Sequence, residues 1–228
     1  MSSSGFTDLL GRLFRELCPA CGGTTHGGFC ATCAAELPRV ADPCSRCGLA
    51  RPVARCPRAG APWHVGAVIA PYSYAEPLDH YVLALKYTGA RALGRAFGLL
   101  LAPHVRHARP DVDALVAVPL HPTRLRQRGY NQAVEIARTL GRELGLPLQL
   151  RGIERLRAGP SQTSGSATQR RASVAAAFRV TRDVTGRRIG IVDDVLTTGA
   201  TVNALAGALL AAGAAGCVAV AAARTPES

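Results

Sequence analysis

Ile189-Gly190-Ile191-Val192-Asp193-Asp194-Val195-Leu196-Thr197-Thr198-Gly199-Ala200-Thr201 is the stretch that decides the fold of this chain. It begins as a short apolar run, the pattern of a buried parallel strand. The run meets two adjacent carboxylates and then a small turn rich in hydroxyls. Beyond the turn, Leu205, Leu209 and Leu210 recur at helical spacing. Strand, acid pair, turn and helix in this order form the crevice where open α/β sheets hold ligands. Residues Thr197, Thr198, Gly199, Ala200 and Thr201 would open a helix, and the first backbone N–H groups of a helix suit a phosphate. Asp193 and Asp194 would repel that phosphate. Carboxylates at this point suit neutral hydroxyls, such as a ribose diol, or a bound Mg²⁺. The Gly-x₄-Gly-Lys-Ser/Thr loop of a Walker-type nucleotide site is absent.

The same stretch resembles the phosphoribosyl-pyrophosphate (PRPP) signature of type I phosphoribosyltransferases: mostly apolar residues, two acids, two apolar residues, then Thr-Thr-Gly-x-Thr. Gly190 departs from it, standing where the family usually has a larger apolar residue. The resemblance implies that Asp193 and Asp194 hold the ribose 2′- and 3′-hydroxyls and that 197–201 cradles the 5′-phosphate, with Mg²⁺ accompanying PRPP. A structural strand–turn–helix carrying a chance acid pair is the plain alternative.

With 228 residues, 48% of them hydrophobic, the chain has room for one ordinary domain and a small appendage. No run approaches the roughly 20 apolar residues of a membrane span. Arg12, Arg15 and Glu16 interrupt the N-terminal apolar positions, unlike a signal peptide, so the expected location is the cytoplasm. The net charge of +12 points to a polyanion such as nucleic acid, or to a multiply phosphorylated substrate. Lys86 is the only lysine among 27 basic residues. GC-biased codon usage accounts for Arg over Lys, but not for the excess over 15 acids.

Seven of the eight cysteines fall between 18 and 56. Without a secretory signal, that clustering indicates metal binding in place of disulfides. Cys18-x₂-Cys21 and Cys30-x₂-Cys33 can complete the four-sulfur tetrahedron of a structural zinc. A redox Cys-x₂-Cys would need one pair inside a βαβ unit. Cys44, Cys47 and Cys56 form a second, incomplete set, since Ala59 stands where a fourth thiol would lie. His64 as a fourth ligand and a metal-free relic are both open readings. Pro52, Pro57, Gly60 and Pro62 mark a linker, which gives a cysteine-rich zinc domain over 1–62 with its own core and an α/β domain over 63–228. Residues 5–17 show a helical apolar face, for packing on the protein or on a partner.

Past the linker, strands are expected at 65–70, 114–118, 178–180, 189–192 and 217–222, with helices starting near Leu78 and after Gln132. Lys86 suits a compact charge beside a phosphate, or is a chance survivor. Arg124, Arg126 and Arg128 follow a strand end, where forked donors suit pyrophosphate. Residues 155–171, poor in apolar groups, read as a flexible lid with Gln162, Arg170 and Arg171 as polar anchors.

The order of these parts is similar to the ComF family, also called competence protein F. It comprises a cysteine-knuckle head, Tyr72-x-Tyr74, Lys86-Tyr87-x-Gly89, Val118-Pro-Leu-His-Pro122 and Arg126-x-Arg128-Gly-Tyr-Asn-Gln132. The PRPP signature and Ala223-Arg224-Thr225 follow. The resemblance implies a type I phosphoribosyltransferase-like parallel sheet flanked by helices, and a role in single-stranded DNA uptake, with other uptake proteins as partners. It also implies that 119–128 is the pyrophosphate loop and that 155–171 closes over PRPP. Two functions are in play: an enzyme in which a nitrogen nucleophile displaces pyrophosphate from PRPP, without a DNA role, and a PRPP-binding module that holds single strands.

Overall fold

The computed structural model describes residues 16–25, 27–51, 56, 62–156 and 177–226. In chain order the elements are β1 (Glu16–Leu17), β2 (Thr24–Thr25), α1 (Ala31–Ala35), β3 (Ala67–Ile69), β4 (Tyr72–Ser73), α2 (Leu78–Tyr87), α3 (Ala92–Ala108) and β5 (Ala114–Ala117). They continue with α4 (Pro122–Arg128), α5 (Gln132–Leu144), β6 (Leu148–Gln149), β7 (Ile153–Arg155), β8 (Phe178–Val180), β9 (Arg188–Leu196), α6 (Ala200–Ala211) and β10 (Gly216–Arg224).

The main sheet runs β3-β10-β9-β5-β6, with β4 also on β10, and every pairing in it is parallel. The expected parallel sheet flanked by helices is therefore present. Strand alternation sends Leu115, Ala117, Val192, Val220 and Ala222 into a core with α2, α3 and α5. Ala114, Val116, Ile189, Ile191 and Ala219 face the opposite way, onto Leu205 and Leu209 of α6. Such two-sided burial is why these strands read as continuous apolar runs. Gly190 has a packing reason: a Cβ there would lie 2.7 Å from Leu115 Cδ2, so Leu115 fills the space a larger residue would need.

Four features of the fold differ from the sequence reading. Phe178–Val180 does not join the main sheet but pairs antiparallel with β7, and the buried Ile153 and Phe178 pack this ribbon on the α6 side. Helix α3 is unannounced by the sequence pattern, because Gly94, Gly98 and Pro103 lower the helical signal of an otherwise good amphipathic segment. Glu16 and Leu17 form a strand paired with β2, not the end of a helix; residues 5–15 of that expected helix lie outside the described residues.

The fourth change concerns the cysteine-rich head, whose core is not separate. Leu37 belongs to the core of the sheet, and Phe29 meets Tyr81 and Phe97 at centroid distances of 5.2 and 5.8 Å. Main-chain bonds from Val40 N to Pro71 O, Ser73 N to Pro38 O and Val68 N to Ser45 O join head and sheet. No helix among the described residues is long and apolar enough to cross a membrane.

Candidate functional site

Parallel strands direct their C-terminal ends to one edge, and there β9 delivers the acid pair. Adjacent strand residues face opposite ways, so the two carboxylates have different neighbours. Asp194 is buried at 4% exposure and turns toward α2, where its Oδ2 lies 3.3 Å from Lys86 Nζ. Its Oδ1 accepts from the Val195 N–H at 2.7 Å. Asp193 is half-buried, and its Oδ1 accepts from the Asp194 N–H at 2.9 Å. Burial, and after it the charge of Asp194, push the Asp193 carboxyl well above the ordinary value of 3.8; the Asp194 N–H and Lys86 pull the other way.

The turn after Leu196 leaves Thr197, Thr198 and Ala200 exposed and Thr201 half-buried. Gly199 sits at φ 73°, a left-handed conformation that glycine adopts without steric penalty, and it caps α6. The Ala200 N–H donates to Thr198 Oγ1 at 3.2 Å. The single tryptophan, Trp63, lies across the turn, since a Cβ on Gly199 would be 2.7 Å from its ring.

A cavity of about 350 Å³ adjoins the acid pair through Lys86 and is lined also by Tyr87, Arg124, Gln127, Arg128 and Tyr130. The arginine segment, expected as a loop, is helical from Pro122. His121 accepts at the N-cap from Thr123 N–H, and Gly129 ends the helix in the left-handed region. A helix brings positions four apart onto one face, so Arg124 and Arg128 line the cavity while Arg126 does not. Arg128 is held over the Tyr87 ring at 5.0 Å and donates to Gln132 Oε1 at 2.9 Å.

The remainder of the Arg-Gly-Tyr-Asn-Gln stretch fixes this corner. The Tyr130 hydroxyl donates to Leu85 O, while Asn131 caps α5 and donates from Nδ2 to Val118 O at 2.9 Å. Gln162, Arg170 and Arg171 lie outside the described residues.

Sequence reasoning gave no role to Arg224 or Trp63, and it put Arg155 at the start of the flexible lid, whereas Arg155 is the last residue of strand β7. Burial lowers the Arg155 pKa, the attraction of Asp193 opposes that, and Arg124 lowers it further, so Arg155 belongs to the same cluster. No local pattern announces such a residue, because β7 brings it in from a separate ribbon.

In the head, the sulfurs of Cys18, Cys21, Cys30 and Cys33 all lie within 4.8 Å of one another, with Cys21 and Cys30 at 3.9 Å. A tetrahedron of four sulfurs about 2.3 Å from zinc has edges of about 3.8 Å, so these four residues fit that ion. Burial raises the Cys18 thiol, but N–H groups of Cys30, Cys21 and Ala20 outweigh it and bring the pKa down to about 6, which favours the ligating thiolate. Cys44, Cys47 and Cys56 also converge within 4.8 Å. His64 does not join them: its ring packs near Gly207 of α6, and its backbone N–H donates to Asn203 Oδ1.

The model of the phosphoribosyl transferase domain family matches residues 128–227, a span that holds the acid pair and the hydroxyl turn. DNA utilization protein YhgH of Salmonella typhi is 35% identical over 84% of this chain and 88% of its own length. Competence protein F of Haemophilus influenzae is 29% identical over 83% of this chain and 89% of its own length. The chain belongs to the ComF family that these proteins represent. Among solved structures, glutamine PRPP amidotransferase from B. subtilis aligns with a TM-score of 0.40 and 22% identity, over 56% of this chain and 25% of that one.

Proposed function

We propose that the β9 edge binds PRPP with Mg²⁺ and that the protein serves single-stranded DNA uptake during natural transformation. The observation that carries the site reading is the continuity of Asp194, Lys86 and the arginine-lined cavity: Lys86 both pairs with the acid and lines the pocket. A ribose diol at Asp193 and Asp194 would leave its 5′-phosphate at Thr197–Thr201 and its pyrophosphate toward Lys86, Arg124 and Arg128. Hard carboxylate and phosphate oxygens suit Mg²⁺, which when bound neutralises pyrophosphate charge. The cations of this chain would stabilise pyrophosphate as a leaving group. Transfer of the phosphoribosyl group to a nitrogen nucleophile is the chemistry the domain supports, and pyrophosphate release across a panel of nucleophiles measures it.

Trp63 provides the binding test. Titrating Mg²⁺–PRPP is expected to change its fluorescence saturably, since the indole lies against Gly199. Thr198→Asp, which places an anion where the phosphate sits, is expected to abolish the change. An unresponsive wild-type protein would argue against the site.

The DNA role is supported by the net charge of +12 and by the names of the relatives, a DNA utilization protein and a competence protein. Binding through the phosphate backbone is expected to weaken steeply with salt and to depend little on sequence. Arg126, exposed and outside the cavity lining, separates the two activities. Arg126→Ala is expected to reduce the logarithmic salt slope by about one while leaving PRPP affinity unchanged. Anisotropy of a labelled oligonucleotide across salt concentrations measures this. Salt-independent binding, or none at low salt, counts against the DNA role.

The four-thiol set is proposed to hold one structural zinc, since four sulfur ligands leave no position open for chemistry.

A further inference from the structure

Helix α2 ends in Tyr87, whose side chain is 71% exposed. It is the only exposed Phe, Tyr or Trp side chain among the described residues, where every other such ring is buried or half-buried. A single exposed ring is ordinary on a protein surface and marks nothing by itself. This ring, however, lines the cavity beside the acid pair, together with Lys86, Arg124 and Arg128. The Arg128 guanidinium stands over it at 5.0 Å and is itself held by Gln132 Oε1 at 2.9 Å. One face of the ring is thereby braced, and its high exposure leaves the other open. Gly89, in the same lining, adds free space, since no atom lies within 4 Å of where its Cβ would be.

An open aromatic face among cations suits a planar ring that carries phosphate. PRPP has no planar ring, so the PRPP reading leaves Tyr87 without a role. A nucleobase fits it: bases stack on tyrosine through their π-faces, whatever their sequence, while Arg and Lys hold the backbone. The base must be unpaired, because neighbours in a duplex cover both of its faces. The cations point to a strand and not to a mononucleotide. Arg124 and Arg128 line the cavity, but Arg126 is exposed outside that lining on the same helix, so the positive charge runs past the cavity. A backbone with a phosphate at every residue can meet both sets.

We propose that Tyr87 is a base-stacking platform at the cavity mouth, and that a single strand seated there competes with Mg²⁺–PRPP for Lys86, Arg124 and Arg128. The proposal rests on both readings above, of the β9 edge as a PRPP site and of the basic surface as a DNA site. A base on the open face of Tyr87 brings its flanking phosphates to the cations that the pyrophosphate needs. Lys86 and Tyr87 are adjacent in the chain, and Lys86 Nζ also pairs with Asp194 at 3.3 Å. The same side chains cannot neutralise both ligands at once. PRPP therefore displaces the strand, and the strand keeps PRPP out.

The test uses the full chain, a labelled oligothymidylate and an abasic strand of the same length and charge, read by anisotropy. Tyr87→Ala is expected to weaken oligothymidylate binding about tenfold, and Tyr87→Phe to restore it, since stacking needs the ring and not the hydroxyl. The salt slope should be the same in all three proteins, because the ring carries no charge. Wild type is expected to bind the abasic strand about tenfold more weakly than oligothymidylate, and Tyr87→Ala to show no such preference. That cycle isolates the ring–base contact from any shift of Arg128. Added Mg²⁺–PRPP should raise the apparent Kd of the wild-type complex in proportion to its concentration.

An equal loss for both strands in Tyr87→Ala would mean that the ring only holds Arg128, and overturns the stacking. Strand affinity indifferent to Mg²⁺–PRPP, while Trp63 fluorescence responds, overturns the shared cavity. A silent Trp63 overturns the PRPP reading instead. Inorganic pyrophosphate then serves as the competitor, and its failure to displace the strand overturns the cationic mouth as the strand site. No strand binding at low salt overturns the DNA role and this interface together.

Discussion

Replacing Asp193 and Asp194 together by asparagine is expected to weaken Mg²⁺–PRPP binding by about a hundredfold or more. A hydrogen bond made by a charged group contributes about 1.5–3 kcal/mol. Two such losses, at about 1.4 kcal/mol per tenfold, reach that magnitude. The fold should survive, because an asparagine oxygen can still accept the Asp194 and Val195 N–H bonds that the carboxylates accept now. Calorimetric titration of wild type and variant decides it, and equal affinities would mean that the acid pair holds no diol.

The single change Asp193→Asn carries a further signature. Burial and the neighbouring Asp194 raise the folded-state pKa of Asp193 above the ordinary 3.8, so folding favours the protonated form. Its contribution to stability is complete below 3.8 and is lost as pH rises through the raised folded value. Asparagine cannot ionise, so the variant is expected to melt at higher temperature than wild type above that pH, and with a flatter pH dependence. PRPP binding should move in the opposite sense, strengthening in wild type as pH rises and the carboxylate forms. A melting profile that falls in parallel for the two proteins would remove Asp193 as the titrating group.

Removing metal from the four-thiol site, or changing Cys18 to serine, is expected to destabilise the whole molecule. A structural zinc contributes apparent free energies of about 10–16 kcal/mol in small zinc domains at neutral pH. A domain's total stability is about 5–15 kcal/mol, so the loss is comparable with everything that holds the fold. Separate cores would confine the damage to residues 16–51. Leu37 and Phe29 instead pack with residues of the sheet core, and three main-chain bonds join the head to the β3–β4 segment. Melting with and without a chelator should therefore show one transition moved downward, with loss of sheet and head signals together. A zinc-free protein with an unchanged melting curve would show that the thiols hold no stabilising ion.

These consequences differ in how far the linear sequence reveals them. The β9 stretch could be read directly because its chemistry is contiguous: apolar strand, acid pair, hydroxyl turn and helix follow without interruption. The first cysteine set could be read for the same reason, since two Cys-x₂-Cys pairs need only a short loop to converge. The parallel sheet followed from apolar runs separated by helical periods, a pattern produced by burial on both faces.

Tertiary structure alone decided the rest. Strand alternation sent Asp194 to Lys86 and left Asp193 on the opposite face, where Arg155 attracts it, a division invisible in the dipeptide Asp-Asp. A helical period selected Arg124 and Arg128 for the cavity and turned Arg126 away from its lining. Phe178 reads like a residue of the main sheet, but the short ribbon with Ile153 claimed it. Arg224 looks like the end of a final strand, yet it binds the Cys47 carbonyl and the turn at once. The physical reason is common to all four cases. Composition and local period determine whether a segment is strand, helix or knuckle, because those depend on neighbours in the chain. Which charged groups meet depends on face and register, and those are settled only when distant segments pack together.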